Sequence, residues 1–441
     1  MFLPYFAASR YTIQLIVLAA LAVACRDSDV QNVKALIVGP HDTPYEFGFF
    51  EFSVKFPEEY PAKPPTVTAK TTNGGRCRFN PNIYAGGKVC LSILGTWRGE
   101  SGEQWSSAQG LESILISIQS LMSSNPYENE PGFENATSTE DKKAQAQYVA
   151  KIRHETLRIS VIQRLEDYLN IHSDGTVDEF PALEEWGEPR TEYDVEPTPP
   201  PFEPFKDLCK RRFLWYYDAY LQSITEAEKT VKPNQNFAAM PFEGGGNSML
   251  GKFFYPELRR RLALIHTCLF RELDYWAKEG AMEVRKDTTT ASMVERQFQQ
   301  IVETYKKNDA VTLDIELVDR NPFVWHLTYF GRPMTNLDGG MFKIKMTISI
   351  RFPDEQPRVI FETKMFHHRI SKEGVLCYFP RRPDELKSHI ESIIEAIEDI
   401  EPPYDPRTLV HPEASKLYWG SADDKKQYSR QLRRSVQRSM E

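Results

Sequence analysis

Residues 79–90 read FNPNIYAGGKVC, and residues 366–377 read FHHRISKEGVLC. Phe79, Gly87 and Cys90 of the first stretch meet Phe366, Gly374 and Cys377 of the second at the same spacing. The sequence ahead of each stretch repeats as well. Phe50, Phe52, Val54 and Phe56 alternate with Glu51, Ser53 and Lys55, and the run ends in Phe56-Pro57. Phe342, Ile344, Met346, Ile348 and Ile350 alternate with Lys343, Lys345, Thr347 and Ser349, and that run ends in Phe352-Pro353. Period-two alternation is the pattern of a half-buried strand, and a proline after it stops regular pairing. A repeat this long does not describe a solenoid. The chain reads as two copies of one α+β domain.

Helical spacing follows the same plan. Residues 109–122, QGLESILISIQSLM, align Leu111, Leu115, Ile118 and Leu121 or Met122 on one face, and a second helix is expected over 140–170. In the second copy a helix over 293–307 precedes strand-like runs VTLDIELVD, FVWHLTYFG and MFKIKMTISIRF, with another helix over 384–400. Residues 171–204 are rich in Asp, Glu and Pro and read as an extended, solvated linker. Residues 205–283 read as two helices, one carrying Leu208, Phe213, Leu214, Tyr217 and Leu221, the other Leu258, Leu262, Ile265, Leu269 and Leu273; residues 235–251 form a loop between them. The expected organisation is an apolar segment over 1–32, a first core over 33–170, the linker, a helical extension over 205–285 and a second, divergent copy over 286–441 that folds alone.

The apolar segment contains YTIQLIVLAALAVAC at 11–25, after a lone Arg10. Its length and its Ala-Val-Ala-Cys end resemble a secretory signal or a short anchor, and a buried N-terminal helix is the alternative. The run falls short of the roughly 20 apolar residues of a membrane span. The sparse cysteines favour the reading in which the segment does not direct secretion.

The 441 residues suggest two to three domains, and the formal charge of −8 argues against a nucleic-acid binder that relies on a net basic surface. The six cysteines, Cys25, Cys77, Cys90, Cys209, Cys268 and Cys377, lie far apart, with no C-x-x-C and no Cys/His cluster. Neither a zinc site nor a disulfide framework fits that spacing. The usage matches a reducing compartment in which one thiol is catalytic. Cys77, Cys209 and Cys268 read as structural.

Residues 79–97, FNPNIYAGGKVCLSILGTW, resemble the catalytic core of the ubiquitin-conjugating enzymes. That family places His-Pro-Asn eight residues ahead of a cysteine. Here Asn80-Pro81-Asn82 stands in that place, with Asn82 eight residues before Cys90. Residues 39–65 resemble the family's second and third strands and proline-rich loop, and residues 105–131 its loop and helix behind the active site. The resemblance is closest to the Z-type branch, which shares NPN and GKVCLSILGTW, and RHETLR at 153–158 and the helices over 205–283 resemble that branch's C-terminal extension. The family's usual first helix and strand are not recognisable in 1–32.

The resemblance implies an antiparallel meander sheet packed against helices, present twice with a helical segment between the copies. It implies transfer of ubiquitin or a ubiquitin-like modifier from an activating enzyme, through a thioester on Cys90, to a lysine of a protein substrate or to a ligase. Cytoplasm and nucleus are the expected locations. No cofactor or metal is expected, and neither nucleic acid nor membrane is an expected partner. The family binds ligases through the proline-rich loop and the loop facing it, here Ala62 with Ser106, Ser107 and Ala108; Ala62 departs from the large apolar residue often found there. The alternative is a non-catalytic interaction protein built on two conjugating-type domains.

The chemistry of the residues agrees. Thioester carriage needs an accessible thiol, and an ordinary one has a pKa of about 8.5 with only a few per cent thiolate at neutral pH. No histidine stands as a paired base for Cys90, which argues against a cysteine-protease arrangement. Attack by an amine builds negative charge on the thioester oxygen, and an amide donor such as Asn82 stabilises it; holding the loop by side-chain-to-backbone bonds is a second, compatible role. Glu128 or Glu130 is the candidate acid that orients or deprotonates the incoming lysine, with an ordinary solvated loop acid as the alternative. Trp97 and Trp105 read as loop packing. In the second copy His367-His368-Arg369 replaces the triplet, and Tyr378-Phe379-Pro380 follows Cys377. Arg369 would lower the thiol pKa, while the bulky residues alter the groove for a modifier tail, so Cys377 is not expected to be an independent carrier.

Overall fold

The computed structural model describes residues 11–16, 20–99, 102–183, 201–244, 249–307, 313–399 and 402–441. Residues 184–200 of the expected linker fall outside these residues, as do the GGNS of the 235–251 loop and the start of VTLDIELVD. The chain forms two compact units: Met1–Thr176 with Pro204–Cys209 and Ser223–Ile265, and Val177–Glu203 with Lys210–Gln222 and His266–Glu441.

The first unit holds a five-stranded antiparallel meander in the order β1 (Tyr11–Ile16), β2 (Leu21–Arg26), β3 (Asp29–Val38), β4 (Phe49–Lys55), β5 (Thr66–Ala69). The apolar run over 11–25 therefore supplies two strands rather than a helix, and the first sheet starts well before residue 33. Leu21, Ala22, Val23 and Ala24 are all buried, so the strand shows no alternation by which to recognise it. Strand β4 alternates as expected, and Phe50, Phe52 and Val54 enter the core. Its polar face is solvated only toward its end, where Ser53 is half-buried and Lys55 exposed. Glu51 is 9% exposed and bonds Arg164 at 2.8 Å and Lys34 at 3.5 Å. A charged residue survives on a covered face because it is paired.

Helix α1 (Leu111–Leu121) seats Ile114, Leu115 and Ile118 on that core. Helix α2 (Thr139–Glu155) starts at a capping box of Ser138 and Asp141, continues through a π-helical stretch Thr156–Gln163, and ends as α3 (Arg164–Leu169). The expected helix over 140–170 is thus one rod with a widened middle. The two helices of the extension are α4 (Lys206–Ala227) and α5 (Tyr255–Arg285).

The second unit repeats the plan with four strands, β6 (Leu313–Leu317), β7 (Val324–Phe330), β8 (Met341–Thr347) and β9 (Arg358–Phe361). Helix α6 (Thr289–Lys306) and helix α7 (Leu386–Glu398) cover them. The chain closes with α8 (Pro412–Tyr418) and α9 (Ala422–Arg438), the latter opened by a capping box of Ser421 and Asp424.

The extension is not a unit of its own, and a boundary at 286 cuts packed structure. Asn321 donates to the Ala277 carbonyl at 2.8 Å, and the Arg358 guanidinium lies 4.9 Å from the Trp276 ring. A 286–441 fragment would expose those faces. Among the described residues no helix is long and apolar enough to cross a membrane, and no group of three or more His, Cys, Asp or Glu side chains could hold a metal.

Candidate active site

The loop over 79–90 is fixed by its own backbone. Cys90 N–H donates to the Asn82 carbonyl at 2.8 Å, and Asn82 N–H donates to Asn80 Oδ1 at 2.9 Å. Asn80 is fully buried and its amide donates to the Leu121 carbonyl at 2.8 Å and the Tyr45 hydroxyl at 3.1 Å. Tyr45 in turn donates to the Phe79 carbonyl at 2.7 Å. Gly87 adopts φ +90° at the turn ahead of the cysteine, against the Ala69 carbonyl, where any Cβ would collide.

The Asn82 side chain donates to the Cys90 carbonyl at 3.0 Å. The Asn82 amide and the Cys90 backbone therefore meet, and in this state the amide holds the loop. Cys90 itself is only 3% exposed, less than the accessible thiol expected from its chemistry.

Glu130 pairs with Arg78 at 3.2 Å, and burial raises its pKa against the opposing pull of that guanidinium. Glu128 is exposed and accepts from Asn125 at 2.7 Å. Ala62, Ser106, Ser107 and Ala108 are all exposed. The loops that carry them are tied by Trp105, whose indole donates to the Pro61 carbonyl at 2.8 Å and whose ring lies 6.0 Å from Tyr60. Trp105 packs the loop as expected, whereas Trp97 is 47% exposed. Cys77, Cys209 and Cys268 are buried, and none of the six cysteines forms a disulfide.

The second copy reproduces the backbone of the loop. Cys377 N–H donates to the Arg369 carbonyl at 2.8 Å, and Arg369 N–H donates to His367 Nδ1 at 3.2 Å. His367 thus takes the part of Asn80, and Gly374 at φ +88° the part of Gly87. The surroundings of the thiol differ. Cys377 has no exposed surface, and its sulfur lies 3.8 Å from the Arg407 carbonyl. Burial raises its pKa to about 11, outweighing the opposing pull of Arg212, Arg369 and Arg407. The lowering expected from Arg369 is real but loses.

Helix α4 contributes the cover. Tyr216 donates to the Arg407 carbonyl at 3.1 Å, Trp215 meets Phe379 edge-on at 5.5 Å, and the Arg212 guanidinium lies 5.1 Å from the Phe379 ring. Lys372 N–H donates to Asp218 at 2.9 Å.

A family model described as Ubiquitin-conjugating enzyme matches residues 17–156 and 294–436, more than half of the chain and one match for each sheet. The chain belongs to the ubiquitin-conjugating enzyme family. It is 39% identical over 245 residues to Ubiquitin-conjugating enzyme E2 Z of Homo sapiens, covering 56% of this chain and 57% of that protein. It is 55% identical over 238 residues to the protein of the same name from Xenopus tropicalis, covering 54% of this chain and 62% of that one. A dual E2 ubiquitin-conjugating enzyme/E3 ubiquitin-protein ligase of Homo sapiens is 41% identical over 152 residues, 34% of this chain and 3% of its own length. The chain thus spans less than two thirds of these relatives.

Sequence reasoning singled out Cys90 and Asn82, which the structure brings together on one loop, and the altered second loop. It missed Arg78, Phe242 and the buried ion pair of Lys151 with Glu243 at 2.5 Å. No local pattern marks them, because their partners lie far away in sequence.

Proposed function

We propose that Cys90 carries ubiquitin or a ubiquitin-like modifier as a thioester and passes it to a substrate lysine or to a ligase. The supporting observation is the reciprocal bonding of Asn82 and Cys90, which puts an amide donor and a thiol on one rigid loop. The Cys90 thiolate attacks the thioester carbonyl on an activating enzyme charged at the expense of ATP, and that enzyme's thiolate leaves. A lysine amine then attacks the Cys90 thioester, the Cys90 thiolate leaves, and the amine gives up a proton. Asn82 exchanges its bond to the Cys90 carbonyl for one to the developing oxyanion. The exposed pair of loops bearing Ala62 and residues 106–108 is the ligase-facing surface. Glu128, exposed and bonded to Asn125, is the acid that meets the incoming lysine, and Cys377 is not an independent carrier. The chain works in the cytoplasm and nucleus, where such modifiers are activated.

The test is loading with ubiquitin, and in parallel with ubiquitin-like modifiers, by activating enzymes and ATP. Wild-type protein should form a reductant-sensitive adduct, Cys90→Ser a reductant-stable one and Cys90→Ala none. A reductant-sensitive adduct on Cys90→Ser, formed as readily as on wild type, would refute the assignment. Asn82→Ala should slow discharge to free lysine by about 100-fold or more and affect loading far less. Equal loss in both steps means that Asn82 only holds the loop.

A further inference from the structure

Arg78 is 4% exposed, and its guanidinium makes three contacts that the loop chemistry does not require. It donates through Nη2 to the Pro81 carbonyl at 2.5 Å and to Glu130 at 3.2 Å, and through Nη1 to the Phe242 carbonyl at 3.3 Å. Its face stacks on Tyr84, 4.4 Å from the ring centre. The buried Nε has no hydrogen-bond partner among the described residues. A buried, incompletely satisfied cation is an expensive way to stabilise a fold, since apolar replacements of buried pairs are often neutral or better.

Its placement supplies another reason. The Pro81 carbonyl belongs to the peptide unit that leads into Asn82. Holding that oxygen fixes one end of the segment whose other end is Cys90. Arg78 is itself fixed from the extension. The Phe242 ring packs within 5.4 Å of Tyr127 and 5.3 Å of Tyr148, and the neighbouring Glu243 forms an ion pair with Lys151 whose side chains are 2% and 0% exposed. Glu243 also accepts from Met240 N–H at 3.3 Å.

We propose that Arg78 is a positioning residue for Asn82, and that residues 240–243 of the extension work through it as part of the transfer apparatus. The proposal rests on the reading of Cys90 as the thioester carrier. Arg78 touches neither modifier nor lysine. It keeps the amide where the oxyanion forms, and displacement of such a group by about 1 Å costs on the order of 100-fold.

The experiment uses the full chain, ubiquitin with an activating enzyme, and Arg78→Met beside Arg78→Lys. In Arg78→Met the rate constant for discharge at saturating free lysine should fall by about 10- to 100-fold, with the half-saturating lysine concentration and the loading rate within about threefold. Arg78→Lys, which keeps the charge but loses the planar fork, should recover part of that loss. Glu130→Gln should slow discharge in the wild-type background and add nothing in Arg78→Met, because it acts through the same guanidinium. Independently of any loading, the Cys90 amide should exchange hydrogen at least about tenfold faster in Arg78→Met. Unchanged exchange, or unchanged discharge by a protein that loads, overturns the proposal. Faster exchange in a chain whose wild type never loads overturns the thioester reading and leaves the positioning role standing.

Discussion

The two cysteine loops share a backbone and differ in chemistry. In both, the cysteine amide bonds the carbonyl eight residues back at 2.8 Å, and a glycine near φ +90° makes the turn. In both, a buried side chain accepts from the next-but-one amide, Asn80 Oδ1 in one and His367 Nδ1 in the other. An amide oxygen and an imidazole nitrogen serve equally well there, because the backbone asks only for an acceptor. The residue on the reacting face is under no such constraint, so Asn82 and Arg369 occupy one backbone position with different chemistry. Loop geometry and reactivity are separate layers of the same sequence.

The largest expected difference lies in the thiols. With its pKa near 11, Cys377 holds about 300-fold less thiolate near neutral pH than an ordinary thiol at about 8.5. Complete burial of the thiol, against the Arg407 carbonyl that Tyr216 also bonds, slows reagents further. In native protein, iodoacetamide labelling followed by peptide mapping should find Cys377 at least about 300-fold slower than a free cysteine, and behind Cys90. Trp215→Ala should speed labelling of Cys377 and leave Cys90 alone. Equal labelling of the two thiols in the folded protein would break the comparison.

A smaller difference should appear in acid. Burial, and then the charges of Arg369 and His411, hold the His367 pKa near 3. His368 and His411 are also held below the usual range, chiefly by burial. The unfolded chain takes up these protons near pH 6.5, so stability is complete above that value and is lost as pH falls toward 3. At pH 4.5 His367 alone costs the second unit about 3 kcal/mol. His367→Asn, the residue of the first copy, keeps an acceptor for Arg369 and should remove that share. The check is hydrogen exchange of the β7 amides at pH 7 and pH 4.5; the same acid loss in His367→Asn would show that His367 contributes nothing.

The legible parts of the chain were those with local pattern. Strands β4 and β8 announced themselves by alternation, α1 and α7 by helical spacing, and Cys90 with Asn82 by a short spacing. Residues 21–24 did not, because a strand buried on both faces loses its period. Arg78 and Cys377 depend on Phe242 and Tyr216, each more than 150 residues away, and no window of sequence holds both partners. The division of the extension between two units was hidden for the same reason. One overlooked signal was local: STEDKK at 138–143 repeats as SADDKK at 421–426.

That repeat yields the smallest and most even prediction. Ser138 accepts from Asp141 N–H at 3.0 Å, and Ser421 from Asp424 N–H at 3.3 Å. Each aspartate accepts from the serine N–H in return, at 3.2 Å and 2.9 Å. Both boxes are exposed, so neither is reinforced by packing, and each satisfies two amides that a helix start leaves without partners. Ser138→Ala and Ser421→Ala should each destabilise their own helix by about 1 kcal/mol, read as roughly fivefold faster hydrogen exchange in the first turn. The reacting faces have diverged while the caps have not, so the two costs should agree within a factor of about two. A cap worth nothing in the second unit would mean that divergence there reached the scaffold as well as the site.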